Sequence, residues 1–245
     1  MHRNVIRFAM LLSFLQPLSL PGRDGGIVLT EELKTPPLFG FPAKVRTVKT
    51  WLQGGHLRRD EGERSRTLLA LSSGEAWLVN HRDSTVTPLS AETLQGLSLM
   101  GIGMFGIATD PVSGKPVIPE GLFRKTGRVR DVNGRSAEEY QIVSVFATES
   151  GTNARPASFW IGTDPHLDMT AYLSVLSRLL GPIASDYTPL FDQLRGLKGY
   201  PVLIQANLMD QELTQTLISS DSCSVDDAVF RLPDGYGRAI RKAGP

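Results

Sequence analysis

An α+β fold, in which an antiparallel strand meander leads into a pair of helices and then back into strands, is what this 245-residue sequence predicts. Three observations carry that expectation. Short runs rich in Val, Leu, Thr and Trp recur about every ten residues between turn residues, the spacing of hairpin-linked strands. The early runs leave no room between them for the helical crossover of a dozen residues that a parallel pair requires. Helical periodicity is concentrated in one later stretch, 168–199, which runs into Gly199-Tyr200-Pro201.

The elements follow in order. Residues 44–53 form a strand that Gly54-Gly55 turns, 57–60 a short one ending at Gly62, and 64–71 a third that stops at Ser72-Ser73-Gly74. Strand 76–79 runs to Asn80-His81-Arg82-Asp83, and 85–89 completes the first meander. In Thr67-Leu68-Leu69-Ala70-Leu71 and Ala76-Trp77-Leu78-Val79 both alternating positions are apolar, whereas a sheet wetted on one side alternates apolar with polar. Both faces of these strands are therefore expected to be covered or to border an apolar cavity.

Residues 90–108 place Gly96, Gly101, Gly103 and Gly106 among Leu97, Leu99, Met100, Met104 and Phe105. Each glycine costs a helix up to ~1 kcal/mol relative to alanine, so this reads as an adaptable apolar loop or broken helix. Residues 110–121, with Pro111, Pro116 and Pro119, form a loop. Asn133-Gly134 between 128–132 and 135–146 is a strong hairpin signal, and 154–161 is the next strand. Asp168 then caps a helix whose Met169, Tyr172, Leu173, Leu176 and Leu180 fall on one face, and Gly181-Pro182 stops it. Thr188-Pro189 opens a second helix with Leu190, Phe191, Leu194 and Leu197 on one side, ended by Gly199. Strands return at 201–208 and 212–219, and 228–232 is expected to add a last one.

Composition bounds the function. Twenty-six Lys and Arg against 25 Asp and Glu leave a net charge of +1, so no global field gathers nucleic acid or an anionic membrane, and no nucleic-acid role is expected. The apolar share of 41% with 21% charged residues predicts a packed core rather than a disordered chain. The chain opens on a basic stretch with Arg3 and Arg7, followed by an apolar run over 8–20 of signal-peptide core length, too short to span a bilayer comfortably. The expected organisation is a signal peptide or amino-terminal anchor over 1–26 and a single domain over 27–245. An amphipathic first helix belonging to the fold is the alternative. The first reading places the protein in the periplasm, with membrane association if the segment stays uncleaved. One cysteine, Cys223, offers neither an intramolecular disulfide nor a metal cluster.

Motifs with chemistry fail on inspection. Gly101-Ile102-Gly103-Met104-Phe105-Gly106 spells a dinucleotide fingerprint, but Asp110-Pro111 ends any following helix within a turn, so an apolar glycine loop is the better reading. Gly114-Lys115 lacks the Ser or Thr of a phosphate loop, and Lys125-Thr126-Gly127 lacks its companion serine motif. His2, His56, His81 and His166 show no helical zinc spacing, and no Gly-x-Ser-x-Gly elbow occurs. No catalytic residue, metal or cofactor is assigned. The mixed-sign stretch 58–66 reads as a solvated hairpin tip. Arg124, Lys125, Arg128 and Arg130 form a more one-sided basic edge, best read as charge protecting a sheet edge, with an acidic partner or lipid headgroups as the alternative.

The ensemble of a strand meander, Ala137-Glu138-Glu139-Tyr140-Gln141-Ile142, Phe159-Trp160-Ile161, a helix pair, Gly199-Tyr200-Pro201-Val202 and Phe230-Arg231-Leu232-Pro233-Asp234-Gly235-Tyr236 resembles the exported LolA/LolB/LppX-like superfamily, most of all its uncharacterised bacterial members. That resemblance implies a half-open antiparallel β-barrel with helices covering the concave face, enclosing an apolar cavity for acyl chains. The carriers of this superfamily move lipoproteins toward the outer membrane without chemistry. The expectation for this chain is thus a non-enzymatic monomer that binds a lipid or lipidated protein, with an envelope protein as a further possible partner. The expected cavity lining is Trp51, Leu69, Trp77, Met100, Met104, Phe105, Trp160, Tyr172, Leu173 and Leu176. A structural or interaction module with a filled core is the rival reading, and a hydrolase assembled across distant loops the third.

Overall fold

The computed structural model describes residues 25–37, 42–62, 65–90, 93, 107–142, 157–167, 169, 170, 173, 177, 180–208 and 211–238. Strands β1 (Gly26–Thr35), β2 (Lys44–Gln53), β3 (His56–Glu61), β4 (Arg66–Ala70), β5 (Ala76–Asn80) and β6 (Thr85–Pro88) are successive antiparallel neighbours. A small hairpin of β7 (Ala108–Thr109) and β8 (Pro116–Val117) precedes β9 (Phe123–Val132), β10 (Arg135–Ile142) and β11 (Ser158–Gly162). A helical segment follows, and then β12 (Tyr200–Leu208) and β13 (Gln211–Cys223).

β13 pairs with β1 and so joins the two meanders, while β14 (Gly237–Arg238) lies parallel to β6. Among the described residues these strands make one twelve-stranded sheet, ordered β14-β6-β5-β4-β3-β2-β1-β13-β12-β11-β10-β9. β14 and β9 are its edges, so the sheet is an open half-barrel. Register shifts at Thr30/Glu31, Glu138/Tyr140 and Trp160/Ile161 mark bulges, the usual device for bending a strand. The tight hairpins have the expected chemistry: Gly54 and Gly55 have φ of 57° and 82°, Asn133 and Gly134 of 51° and 79°, the positive pair a two-residue turn needs.

The helical segment departs from the sequence expectation in its joints. Positions 169, 170, 173, 177 and 180 are helical, but Gly181-Pro182 does not stop the chain. A 3-10 stretch, Gly181–Tyr187, continues directly into α1 (Thr188–Arg195). Pro189 sits in the first turn of α1, where its missing N–H leaves no bond unmade. α1 ends at Arg195, not Gly199: past its cap at Gly196 the i→i−4 pattern gives way, with the Leu197 N–H on the Leu194 carbonyl and the Gly199 N–H on the Leu197 carbonyl. The expected strand at 228–232 is instead a 3-10 turn, Asp227–Phe230, begun by the Asp226 carboxylate accepting from the Ala228 N–H.

Sheet and helices share one apolar cluster. Leu29 and Leu33 of β1, Val48 and Leu52 of β2, Leu57 of β3, Leu68 of β4, Phe159 of β11, Ile204 of β12 and Leu217 of β13 join Leu173, Leu190, Phe191 and Leu194. A side chain of this kind contributes roughly 1.5–3 kcal/mol when fully buried, which is why α1 stays docked despite having only eight residues. Alternate positions on β2, β4 and β5 feed a second cluster on the outer face. There Leu69, Trp51 and Trp77 meet Val225, Val229, Phe230 and Leu232 of the carboxy-terminal segment. The doubly apolar strands thus have both faces covered. Among the described residues no helix is long and apolar enough to cross a membrane. The apolar segment 8–20 lies outside those residues.

Candidate functional site

Among the described residues, a polar group interrupts the apolar inner face of the half-barrel at β1 and β3. β1 presents Ile27, Leu29, Glu31 and Leu33 to the interior in strict alternation, so one carboxylate stands where the pattern calls for an aliphatic side chain. On β3 the same alternation turns Leu57, Arg59 and Glu61 inward, and Thr50 of β2 is the cross-strand partner of Arg59. Gln215 of β13 completes the group.

Arg59 Nη1 donates to Glu31 Oε2 at 2.8 Å and to Thr50 Oγ1 at 3.2 Å, and Gln215 Nε2 donates to Glu31 Oε2 at 3.2 Å. Arg46 Nη1 lies 3.7 Å from Glu61 Oε2. Exposure is 0% for Glu31 and Gln215, 1% for Thr50, 2% for Glu61 and 5% for Arg59, so this is an interior network rather than a surface ion pair. Burial pushes the Glu31 carboxyl above its ordinary value, against the charge and hydrogen bond of Arg59.

The network is incomplete. Arg59 Nε and Nη2, Glu31 Oε1 and Glu61 Oε1 are buried and make no hydrogen bond. Two other arginines fill the corresponding edge. Arg58 Nε and Nη2 grip the two oxygens of Asp60 at 2.9 and 3.0 Å, and Arg128 Nε and Nη2 grip Glu139 at 2.6 and 2.5 Å.

The outer face carries a different network. Thr67 Oγ1 donates to Asp60 Oδ1 at 2.5 Å and contacts His81 Nε2 at 2.9 Å, and His81 Nδ1 meets Tyr236 Oη at 3.0 Å. Arg58 Nη1 donates to the Val229 carbonyl at 2.9 Å, and the Val225 N–H to Gln53 Oε1 at 2.8 Å. Together these fasten the segment that covers Trp51, Leu69 and Trp77. His56 packs against Phe230 with ring centroids 5.4 Å apart and the planes tilted by 30°. No group of three or more His, Cys, Asp or Glu suited to a metal ion occurs among the described residues.

The expected lining residues are distributed unevenly. Leu173 is fully buried in the main cluster, and Trp160 is also buried there, with its Nε1–H on Gln205 Oε1 at 2.8 Å and Arg130 4.2 Å over its ring. Trp51, Leu69 and Trp77 lie in the second cluster beneath the carboxy-terminal segment. Met100, Met104, Phe105, Tyr172 and Leu176 lie outside the described residues. Sequence reasoning missed Glu31, Thr50, Arg59, Glu61 and Gln215. It read 58–66 as a solvated tip, whereas Arg59, Asp60 and Glu61 are buried in β3. The sequence carries no signal that separates the two faces here, since Arg58, Arg59, Asp60 and Glu61 are all charged. The basic residues 124–130 do lie on an edge strand, β9, as expected of a charged edge.

No family model matches the chain, and no curated protein matches it in sequence. Among solved structures it is similar to PNGF-II, with a TM-score of 0.41 and 8% identity over 89% of this chain and 31% of that one. It is also similar to a domain from Vibrio parahaemolyticus whose name assigns it to outer membrane lipoprotein sorting, with a TM-score of 0.34 and 9% identity over 92% and 95% of the two chains. A DUF1329 family protein from Desulfovibrio piger matches with a TM-score of 0.30 and 10% identity over 92% and 95%. The chain spans about a third of PNGF-II, and nearly the whole of the other two. At such identities and TM-scores, the case for any function rests on the site itself.

Proposed function

We propose that this chain is an exported, non-enzymatic, monomeric binding protein that holds an acyl chain, a lipid or a lipidated partner against the inner face of the half-barrel, in envelope lipid or lipoprotein traffic. The observation that supports it is the unfinished interior. A core filled only to hold the fold satisfies its buried polar groups, because each one left unpaired costs about 1–3 kcal/mol. Here two donors of Arg59 and two acceptors of Glu31 and Glu61 stay unmatched amid aliphatic side chains. An apolar face with a few convergent polar groups is the usual composition of a small-molecule site. Leu173 and the expected lining residues Met100, Met104, Phe105, Tyr172 and Leu176 fall to the same reading, with methionine suited to repacking around chains of varied shape. Native mass spectrometry of protein purified from its own envelope is expected to show a bound lipid mass. Lipid-free protein that also fails to bind a fluorescent fatty acid would overturn the reading.

A structural or interaction module is the second reading, favoured by a specific feature: the main cluster runs without interruption from the strands into Leu190, Phe191 and Leu194. Saturable displacement of a fluorescent fatty acid separates the two, since a filled core predicts none.

A further inference from the structure

Resting on that binding reading, we propose that the Nε–Nη2 edge of Arg59 receives the carboxylate of a long-chain amphiphile whose tail lies along the inner-face aliphatic side chains. The reasoning begins with guanidinium geometry. Nε–H and one Nη2–H point the same way and match the two oxygens of a carboxylate, giving paired, charge-assisted hydrogen bonds. In this protein Arg58 and Arg128 both use that edge in that way, on Asp60 and Glu139. Arg59 does not. Its Nη1 is committed to Glu31 and Thr50, and the Nε–Nη2 edge is buried and unpartnered.

The surroundings select the ligand class. Arg59 is 5% exposed, so a charged edge left dry there is strongly disfavoured and calls for an acceptor. Its cross-strand neighbours toward β4, Leu68 and on the same strand Leu57, are buried in the main apolar cluster, which suits a hydrocarbon tail. The other buried carboxylate atoms of this network without a hydrogen bond, Glu31 Oε1 and Glu61 Oε1, are acceptors and not donors. A phosphate would bring further oxygens toward those acceptors, whereas a carboxylate brings two and uses both donors. Arg46 beside Glu61 offsets the second carboxylate, so the anion does not meet two uncompensated charges.

Full-length, delipidated protein titrated with dodecanoate, dodecanol, dodecyl phosphate and acetate tests this. Dodecanoate is expected to bind at least about tenfold more tightly than dodecanol, the increment of hydrogen bonds to a charged group. Acetate is expected to bind far more weakly than dodecanoate. In Arg59→Lys, which keeps the charge and loses the paired edge, dodecanoate should weaken by about tenfold while dodecanol stays unchanged. The ligand comparison on the unaltered protein stands even if the variant does not fold. Equal binding of dodecanoate and dodecanol overturns the carboxylate site and leaves the apolar reading intact. No binding of either overturns both. Acetate as tight as dodecanoate overturns the amphiphile, and tighter dodecyl phosphate overturns the carboxylate.

Discussion

Gly199 sets its α-carbon directly against the carbonyl oxygen of Gly162, where the chain leaving α1 enters β12. A Cβ at this position would collide with that oxygen and lie 3.0 Å from Ile161 Cγ2, and φ is 141°, a conformation side chains rarely adopt. The contact locks the helical segment to β11, since Gly162 pairs with Tyr200 in the sheet.

Gly199→Ala is accordingly expected to lower stability by about 3 kcal/mol, from backbone strain plus a clash with backbone that cannot swing aside. Gly74 is the control. Its φ is 90° but nothing lies within 4 Å of a Cβ there, so Gly74→Ala should cost only about 1 kcal/mol. Urea unfolding midpoints compare the two, and equal shifts would show that the close approach does not matter.

Acid should unfold the protein partly through Glu139. Burial raises its carboxyl, but the hydrogen bonds from Thr126, Ser158 and Arg128 and the Arg128 charge outweigh that and hold it below the ordinary value of 4.5. A carboxylate with a depressed folded-state value contributes stability that is present above pH 4.5 and disappears as pH falls through the lower value. Glu139→Gln should therefore cost about 1–2 kcal/mol at neutral pH, discounted because the Arg128 side chain is exposed, and the gap should narrow on acidification. A gap constant down to pH 2 or so would contradict this assignment.

The carboxy-terminal segment is expected to behave as a structural clasp. Phe230 is 6% exposed against Leu69 and Val225, so Phe230→Ala should cost about 3 kcal/mol. It should also open the segment around Asp227–Phe230 to protease before the sheet unfolds. Proteolysis that begins elsewhere, with the segment still protected, would show that other contacts hold it.

The legible parts of this fold were those governed by local chemistry. Gly54-Gly55 and Asn133-Gly134 announce their turns because few other pairs adopt two positive φ angles in succession. β2 was bounded correctly at both ends, being rich in Val, Thr and Trp with a glycine turn after it. β1 was missed, although it is the strand that joins the two meanders, because its inward row Ile27, Leu29, Glu31, Leu33 is broken by the very carboxylate that marks the site. The doubly apolar β4 and β5 were expected to be covered on both faces or to border an apolar cavity, and both faces are covered. What covers the outer face, a segment about 150 residues further on in sequence, leaves no local trace. Arg59 and Glu31 come together through register alone, across β2, and no spacing in the chain encodes that.

Buried pairs give their own test, distinct from ligand binding. Removing only Arg59, as in Arg59→Met, leaves the Glu31 carboxylate without its cation in a dry interior and should cost about 3–5 kcal/mol. Removing both, as in Arg59→Met with Glu31→Leu, should recover most of that loss, since well-packed apolar replacements of a buried ion pair are often neutral or stabilising. The pH dependence supplies the sign. Glu31 has a folded-state value raised above 4.5, so its contribution favours the folded state below that value and is lost as pH rises through the folded one. The double variant should accordingly lose this decline, and in Arg59→Met the decline should extend to higher pH, because the cation that opposed the rise is gone. Should the single and double variants be equally destabilised, with identical pH profiles, Arg59 and Glu31 would be acting independently and the network drawn around them would not hold.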